Sequence, residues 1–298
     1  MNNSSEKLNA LVNDLLTVLI LTSNEEVNIG RVMDRLKWAG RVIVIDSYST
    51  DRTLEILNQY PNTDVFPRKF DTHARQWNYG LSLVKTKWVL TLDADYILTE
   101  DFIKEIMELV IHGNVPAYFA RFRFLVFGKK LRGNNTTPRP VLFLKDWFTY
   151  YDDGHTQRLK IDWVPVYLKS PILHDDRKPL GRWLMNQDKY SAKEADKLIA
   201  LTHQNKYSFL EQIRLTKIVA PFFVFFYCLF IKGLIFNGWA GWHYTLQRTT
   251  VEILFALRLI EKQKLENNSI TELKINSTPV PFPVPDAEKN LQSFKFQK

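Results

Sequence analysis

The sequence predicts an α/β domain with a mixed sheet, parallel in its first half, followed by a helical extension at a membrane interface. Three observations carry that prediction. Between residues 17 and 98, short apolar runs alternate with stretches of helical periodicity. Two of those runs, VIVID (42–46) and WVLTLD (88–93), end in an aspartate. Much later, IVAPFFVFFYCLFI is apolar from Ile218 to Ile231 and is closed by Lys217 and Lys232.

TVLIL (17–21) reads as a buried strand. Ser23 and Glu26 then stand at capping-box spacing, ahead of Ile29, Val32, Met33 and Leu36 at helical intervals. VIVID is the second strand, and Asp51 caps a helix carrying Leu54 and Leu57. A short strand near Val65 and Phe66 follows. A helix with Trp77, Leu81 and Val84 leads into the strand WVLTL (88–92). This rhythm means a parallel sheet covered on both faces.

After Asp95 the pattern changes. FIKEIMELVI (102–111) is an amphipathic helix. AYFARFRFLVF (117–127) and VLFL (141–144) are strands, and beyond YYDDGH the chain returns as a strand near 159–163. Antiparallel or mixed pairing is expected there. The resulting division is a catalytic domain over 1–180, a helical region over 181–262 and a polar, flexible tail over 263–298.

A net charge of +8 points to a phosphate-bearing partner, whether nucleic acid, anionic lipid or a diphosphate. No nucleic-acid recognition motif is present, so nucleic acid is not expected as a partner. Aromatic residues crowd the C-terminal third, and Trp239, Trp242 and Tyr244 have the character of interfacial anchors. A membrane span needs about 20 apolar residues, so the shorter run from Ile218 predicts a re-entrant or interfacial element. Pro221 fits a first helical turn. Cys228 lies in this run and reads as a small buried hydrophobe. The polar N-terminus lacks a basic leader, which places the chain on the cytoplasmic side of a membrane as a peripheral or re-entrant protein.

The most informative motif is DAD, Asp93 to Asp95, closing the third long strand. Alternate residues of a strand share a face, so both carboxylates are expected to leave the sheet together. The carboxyl end of an open α/β sheet is where ligands bind. Two hard oxygen donors suit Mg2+ or Mn2+, with a diphosphate supplying further ligands. Asp46 ends the neighbouring strand, where a carboxylate accepts hydrogen bonds from a base or a ribose. Thr22 and Glu25 leave the first strand within reach of a nucleotide. Arg75, Gln76 and Asn78 open a helix, a setting that suits a diphosphate or a base.

In order and spacing these blocks, NEE, DSYSTDRT, HARQWNYG and LDAD, resemble family 2 glycosyltransferases of the A-type fold. The pattern is nearest the lipopolysaccharide-core branch, typified by a core β-glucosyltransferase. That resemblance implies a nucleotide-diphosphate sugar donor, a lipid-linked or cell-envelope glycan acceptor, a divalent metal and inversion at the anomeric carbon. It assigns Glu25 and Asp46 to the nucleotide, and Asp93 and Asp95 to donor and metal. His174, in ILHDDRK, is implied as a further metal ligand. Arg177 and Lys178 are candidates to touch the diphosphate, and Arg182 either does the same or decorates a helix. The chain departs from the pattern twice. Tyr48 stands where many relatives have glycine, and Ser47 where many have a second aspartate. DDGHTQ replaces the V-H-E of the branch, so the general base is placed on Asp153, with Asp152 as alternative and His155 as an orienting group.

Two other classes use similar parts. A nucleotidyltransferase acting on a sugar phosphate needs an early Gly-rich loop, and TSNEEVNIG is not one. A non-catalytic membrane-bound module has no use for acids at successive strand ends.

Overall fold

The structure, a computed structural model, describes residues 2–153, 156–161, 163–204 and 207–277. His155 lies outside the described residues. Met1–Leu259 form one compact unit and Ile260–Lys298 a second, so the expected boundary at 180 falls inside the first.

The first half runs α1 (Asn2–Leu15), β1 (Leu16–Thr22), α2 (Ile29–Asp34), β2 (Val42–Asp46), α3 (Thr53–Leu57), β3 (Thr63–Pro67), α4 (His73–Leu83) and β4 (Trp88–Asp93). Then come β5 (Tyr96–Ile97), α5 (Glu100–His112), β6 (Ala117–Ala120), β7 (Phe122–Val126), β8 (Lys129–Lys130) and β9 (Arg139–Leu144). The second half continues with β10 (Tyr150–Asp153), β11 (Thr156–Leu159), β12 (Val166–Tyr167) and β13 (Ile172–His174). Its helices are α6 (Leu180–His203), α7 (Phe209–Leu215), α8 (Val219–Phe226) and α9 (Trp239–Ser277).

The main sheet has the order β12-β6-β9-β4-β1-β2-β3. β4, β1, β2 and β3 are mutually parallel, and β9 runs antiparallel between β4 and β6. Period-two alternation divides the apolar residues between two cores. Val18, Ile20, Val42, Val44, Leu90 and Leu92 face α2 and α5, packing with Ile29, Met33, Phe102 and Ile106. Leu19, Ile43, Ile45 and Val89 face α4 through Trp77 and Leu81. Gly80 permits that approach, because a Cβ there would stand 2.6 Å from Leu19 Cδ1.

Four differences from the sequence reading have physical causes. α1 forms where only a polar leader was expected, because it buries Val12 and its Asn13 accepts the Gly40 N–H at 2.7 Å. Ser23 and Glu26 do not make a capping box. α2 begins later, at Ile29, and the Glu26 carboxylate accepts the Arg52 N–H at 3.1 Å instead. The run 117–127 breaks at Arg121, and its second part joins a separate sheet of order β5-β13-β7-β8. Finally, α9 continues through the start of the expected tail to Ser277, since nothing in residues 261–277 is Pro or Gly.

The apolar run becomes α8 and a π-turn, Tyr227–Ile231, with Pro221 in the first turn. Among the described residues no helix is long and apolar enough to cross a membrane. Cys228 is buried and its Sγ accepts from the Asn135 amide at 3.3 Å. Tyr244 is also buried, its hydroxyl accepting the Asn135 N–H, so it packs in the interior and is not an interfacial anchor.

Candidate active site

β1, β2 and β4 end level with one another, with Thr22 opposite Asp46 and Leu21 opposite Asp93. This register brings the predicted acids to one edge of the sheet. Asp46 is 1% exposed and uses both oxygens locally. Oδ1 accepts from the Thr22 hydroxyl at 2.9 Å and the Ser49 hydroxyl at 2.6 Å, and Oδ2 accepts the Ser49 N–H at 2.8 Å. Thr22 and Asp46 therefore set the shape of the loop after β2. In that loop Tyr48 adopts φ 57° and is 60% exposed. Left-handed backbone favours glycine, which is the physical reason a glycine suits this position.

The three residues proposed at the start of α4 separate. Gln76 is fully buried, donating to the Ser47 hydroxyl at 2.9 Å and the Arg68 carbonyl at 3.1 Å while accepting from the Arg68 guanidinium. Asn78 exchanges two hydrogen bonds of 2.9 Å with the backbone of Tyr150. Only Arg75 is turned outward, 71% exposed and 3.6 Å from Asp71.

Asp93 and Asp95 differ in backbone setting. β4 stops at Asp93, and Asp95 lies in the turn that follows, where strand alternation no longer applies. Asp95 Oδ2 lies 3.1 Å from His174 Nε2, and Oδ1 is buried with no hydrogen-bond partner. Burial alone would raise this carboxyl's pKa, but the charges of His174 and Lys178 outweigh it and hold the group well below the usual carboxylate range. Burial would likewise lower the His174 imidazole, yet Asp95 beside it raises it. The imidazole is held between the rings of Phe124 and Tyr96, at 4.2 and 5.3 Å. The Asp93 carboxylate also acts electrostatically on Tyr96, His174 and Tyr190.

Glu25 is buried on the other side of Lys178. The Lys178 Nζ stands 2.9 Å from Glu25, 3.3 Å from Asp176 and 4.0 Å from Asp95. Asn28, fully buried, donates to Glu25 at 3.0 Å and to Asp176 at 3.1 Å. Three carboxylates around one ammonium leave excess negative charge. Burial first, and Asp95 second, push Glu25 up to about 7 against the pull of Lys178. The same carboxylates overcome burial and raise Lys178 above its ordinary value.

Residues 174–182 act as a strap across this edge. Arg31 and Arg177 both hold Asp175, at 2.6 and 2.8 Å, and Arg182 donates to the carbonyls of Ser23 and Asn24. The strap ties the β1–α2 loop to the tip of β4. Sequence reasoning named Lys178, Arg177 and Arg182 but missed Arg31, Asn28, Asp175, Asp176 and Tyr190. The buried Asn28 two residues beyond the NEE block was the available signal.

The hairpin acids are employed differently. Asp152 Oδ1 accepts the Ala74 N–H at 3.2 Å and so caps the first turn of α4. Asp153 is gripped by Lys197 of α6 at 2.6 Å and by Arg158 at 2.5 Å.

The donor set fits a divalent cation only in part. Cis ligands of an octahedral ion with bonds of about 2.1 Å stand about 3 Å apart, which matches the Asp95–His174 spacing. The unpartnered Asp95 Oδ1 has the capacity for such an ion. Among the described residues, however, no three His, Cys, Asp or Glu side chains converge, so the expected trio of Asp93, Asp95 and His174 is not assembled as a metal cage. The residues present suit an ion whose remaining ligands come from a diphosphate.

Residues 17–161 match the family model described as Glycosyl transferase family 2. An uncharacterized glycosyltransferase of Rickettsia bellii (strain RML369-C) is 28% identical over 134 residues, 44% of each chain. One from Rickettsia felis (strain ATCC VR-1525 / URRWXCal2) is 31% identical over 106 residues, 35% of this chain and 37% of that relative. The matches thus span less than half of the length of these relatives. Among solved structures, S. aureus TarS 1–349 in complex with UDP-GlcNAc superposes with a TM-score of 0.45 at 13% identity, over 80% of this chain and 90% of that one. Glucosyl-3-phosphoglycerate synthase from Mycobacterium tuberculosis, in complex with Mn2+ and UDP-Glc, gives 0.35 at 19% identity over 40% and 47%. The mixed sheet, with parallel strands ending level at an acidic edge, is an α/β fold. Its residues 17–161 have the pattern of a family 2 glycosyltransferase domain.

Proposed function

We propose that this chain transfers a sugar from a nucleotide-diphosphate donor to a hydroxyl of a lipid-linked or envelope glycan, of lipopolysaccharide-core type. We place the reaction at the cytoplasmic face of a membrane, with inversion at the anomeric carbon. The observation that carries the reading is the buried group of Glu25, Asp95, His174 and Lys178 at the carboxyl ends of parallel strands, with one oxygen of Asp95 unpartnered.

In this reading the exposed Tyr48 and Arg75 receive the nucleotide, while Thr22, Asp46 and Gln76 shape the loop that presents Tyr48. Asp95 and His174 would hold Mg2+ or Mn2+, which supplies charge stabilisation for the leaving diphosphate. Lys178 is the protein's own cation at that place and orients the diphosphate beside Asp95 and Glu25. Asp93 would bind the donor beside them. The acceptor hydroxyl loses its proton to a carboxylate of the β10–β11 hairpin. Asp152, exposed and using one oxygen for its cap, suits this better than the doubly ion-paired Asp153.

The test is a screen of nucleotide sugars that follows nucleoside diphosphate release with Mg2+ or Mn2+. One or more donors are expected to be turned over in a metal-dependent manner. Release of pyrophosphate from a nucleoside triphosphate and a sugar phosphate would instead establish a nucleotidyltransferase. Absence of turnover with every donor would leave a binding module.

A further inference from the structure

The segment after α7 carries a surface that the transfer reaction does not use. Ile218, Val219, Phe222, Phe223, Phe226 and Phe230 recur at helical spacing along α8 and its π-turn, and each is between 43% and 73% exposed. The opposite side, through Ala220, Cys228 and Leu229, is buried. The stripe therefore has its back in the core and its aromatic face outward. Phe225 touches both Phe226 and Trp242, which links the stripe to the first turns of α9. Phe236, just before α9, is 71% exposed, and Trp239, at its start, 56%. Soluble surfaces rarely gather so many exposed aromatic rings without a partner.

Charge identifies the partner. No Asp or Glu occurs between Glu211 and Glu252, nor between Glu108 and Asp146. The second acid-free stretch contains the β7–β8 hairpin, and Asn237 fastens that hairpin to the aromatic segment by bonding the Arg132 N–H and the Lys130 carbonyl, both at 3.1 Å. Lys129 stands 5.8 Å over the Trp239 ring, Arg132 5.2 Å over Phe236 and Lys232 5.3 Å over Tyr227. Aromatic rings interleaved with lysine and arginine, and no acid among them, match a bilayer interface with anionic headgroups.

We infer that the outer face of α8, its π-turn and the start of α9, with the β7–β8 hairpin beside it, is a monotopic docking surface for anionic membrane. α8 lies in the plane of the interface, its phenylalanines among the acyl chains and its basic residues at phosphate level. The hairpin also touches the strap: the Gly128 N–H donates to Asp175, and Phe124 of β7 packs on both His174 and Tyr244. The docking surface thus adjoins the acidic edge of the sheet. Its use in presenting a lipid-linked acceptor rests on the proposed transfer; the docking itself does not.

The full chain is mixed, without donor or acceptor, with phosphatidylcholine vesicles and with vesicles containing phosphatidylglycerol. Co-sedimentation is expected with the second and weakly with the first. Phe222→Ser/Phe226→Ser/Phe230→Ser is expected to lower partitioning by roughly tenfold per ring. Lys129→Gln/Lys130→Gln/Arg132→Gln is expected to lower it about fivefold per residue, on anionic vesicles alone. As a measurement free of any variant, the total tryptophan emission, to which Trp239 and Trp242 contribute, should shift to the blue and be partly quenched by brominated lipid. A chain that stays in the supernatant with unmoved emission overturns the inference, as does a triple Phe variant that sediments like the parent. A concentration-dependent dimer abolished by the Phe substitutions, with no vesicle binding, also overturns it by assigning the face to a second copy. Because turnover is never read, failure of the donor screen and failure of docking are separate results.

Discussion

The acids at the tip of β4 and the acids of the β10–β11 hairpin carry the same functional group in opposite conditions. At the tip, Asp95 keeps a buried oxygen without a partner, and Glu25 is pushed toward neutrality by burial and by its neighbours. On the hairpin, Asp153 is gripped by Lys197 and Arg158, and Asp152 caps a helix. Buried polar groups are normally satisfied, so the unmet buried capacity lies at the tip, while on the hairpin Asp153 is committed to ion pairs and Asp152 keeps one exposed oxygen. The lesson is that spacing in the sequence finds carboxylates, whereas partners decide which of them have chemistry left to do.

The largest effect is expected from Asp95→Asn, which keeps the shape and removes the charge. If Asp95 partners metal and diphosphate as proposed, losing its charge corresponds to several kcal/mol, so turnover should fall roughly 10³-fold with folding intact. Diphosphate release and thermal unfolding, measured on the same preparation, check it. Full retained turnover would reduce the tip to a structural cluster and dissolve the comparison.

Glu25 sharpens the comparison through pH. Its pKa rises from 4.5 to about 7 on folding, so between those values the native state holds a proton that the unfolded chain has lost. Stability contributed by this site must then fall as pH rises from about 4.5 to about 7 and stay level above that, by about 3 kcal/mol in all. Glu25→Gln, which cannot ionise, should remove that slope. Urea unfolding of parent and variant from pH 5 to pH 8 gives the difference directly, and parallel profiles would contradict the account.

The hairpin makes the reverse prediction. Asp153→Asn should cost less than about 1 kcal/mol of stability, because Arg158 is 64% exposed and the ion pair is screened, and activity should stay within a few-fold. Asp152→Asn should lower kcat by about 10²-fold if it receives the acceptor's proton. Should Asp153→Asn prove the more damaging, the order drawn from ion pairing is reversed.

The β-α-β-α rhythm, both apolar cores and the position of Asp46, Asp93 and Glu25 near one sheet edge were legible because they rest on local periodicity. Strands that alternate apolar residues on two faces announce themselves within a few residues. The strap was not legible. Asp175 meets Arg31, and Lys178 meets Glu25, across more than a hundred positions that no local pattern spans. The end of β4 at Asp93 was not legible either, because alternation assumes that the strand continues. The run 117–127 was read as one strand because its apolar residues continue past Arg121, while the change of sheet depends on β13, which arrives much later in the chain.

The smallest expected effect concerns Tyr48, and it probes whether strain is retained where a ligand binds. A residue with a Cβ at φ 57° costs about 1–2 kcal/mol relative to ordinary backbone, and the exposed ring recovers little of that by packing. Asp46, Ser49 and Thr22 hold the loop in this shape, so the tyrosine has no freedom to relax. Tyr48→Gly removes the steric penalty but gives the unfolded chain more freedom, leaving a net gain of about 1 kcal/mol or less. A rise in Tm of about 2 °C is expected by calorimetry. If the ring stacks on the donor base, the donor KM should rise at the same time, with kcat nearly unchanged. A gain in stability with no change in KM would mean that the strained tyrosine serves neither fold nor donor, and a loss of stability would mean that its ring packs more than its exposure implies.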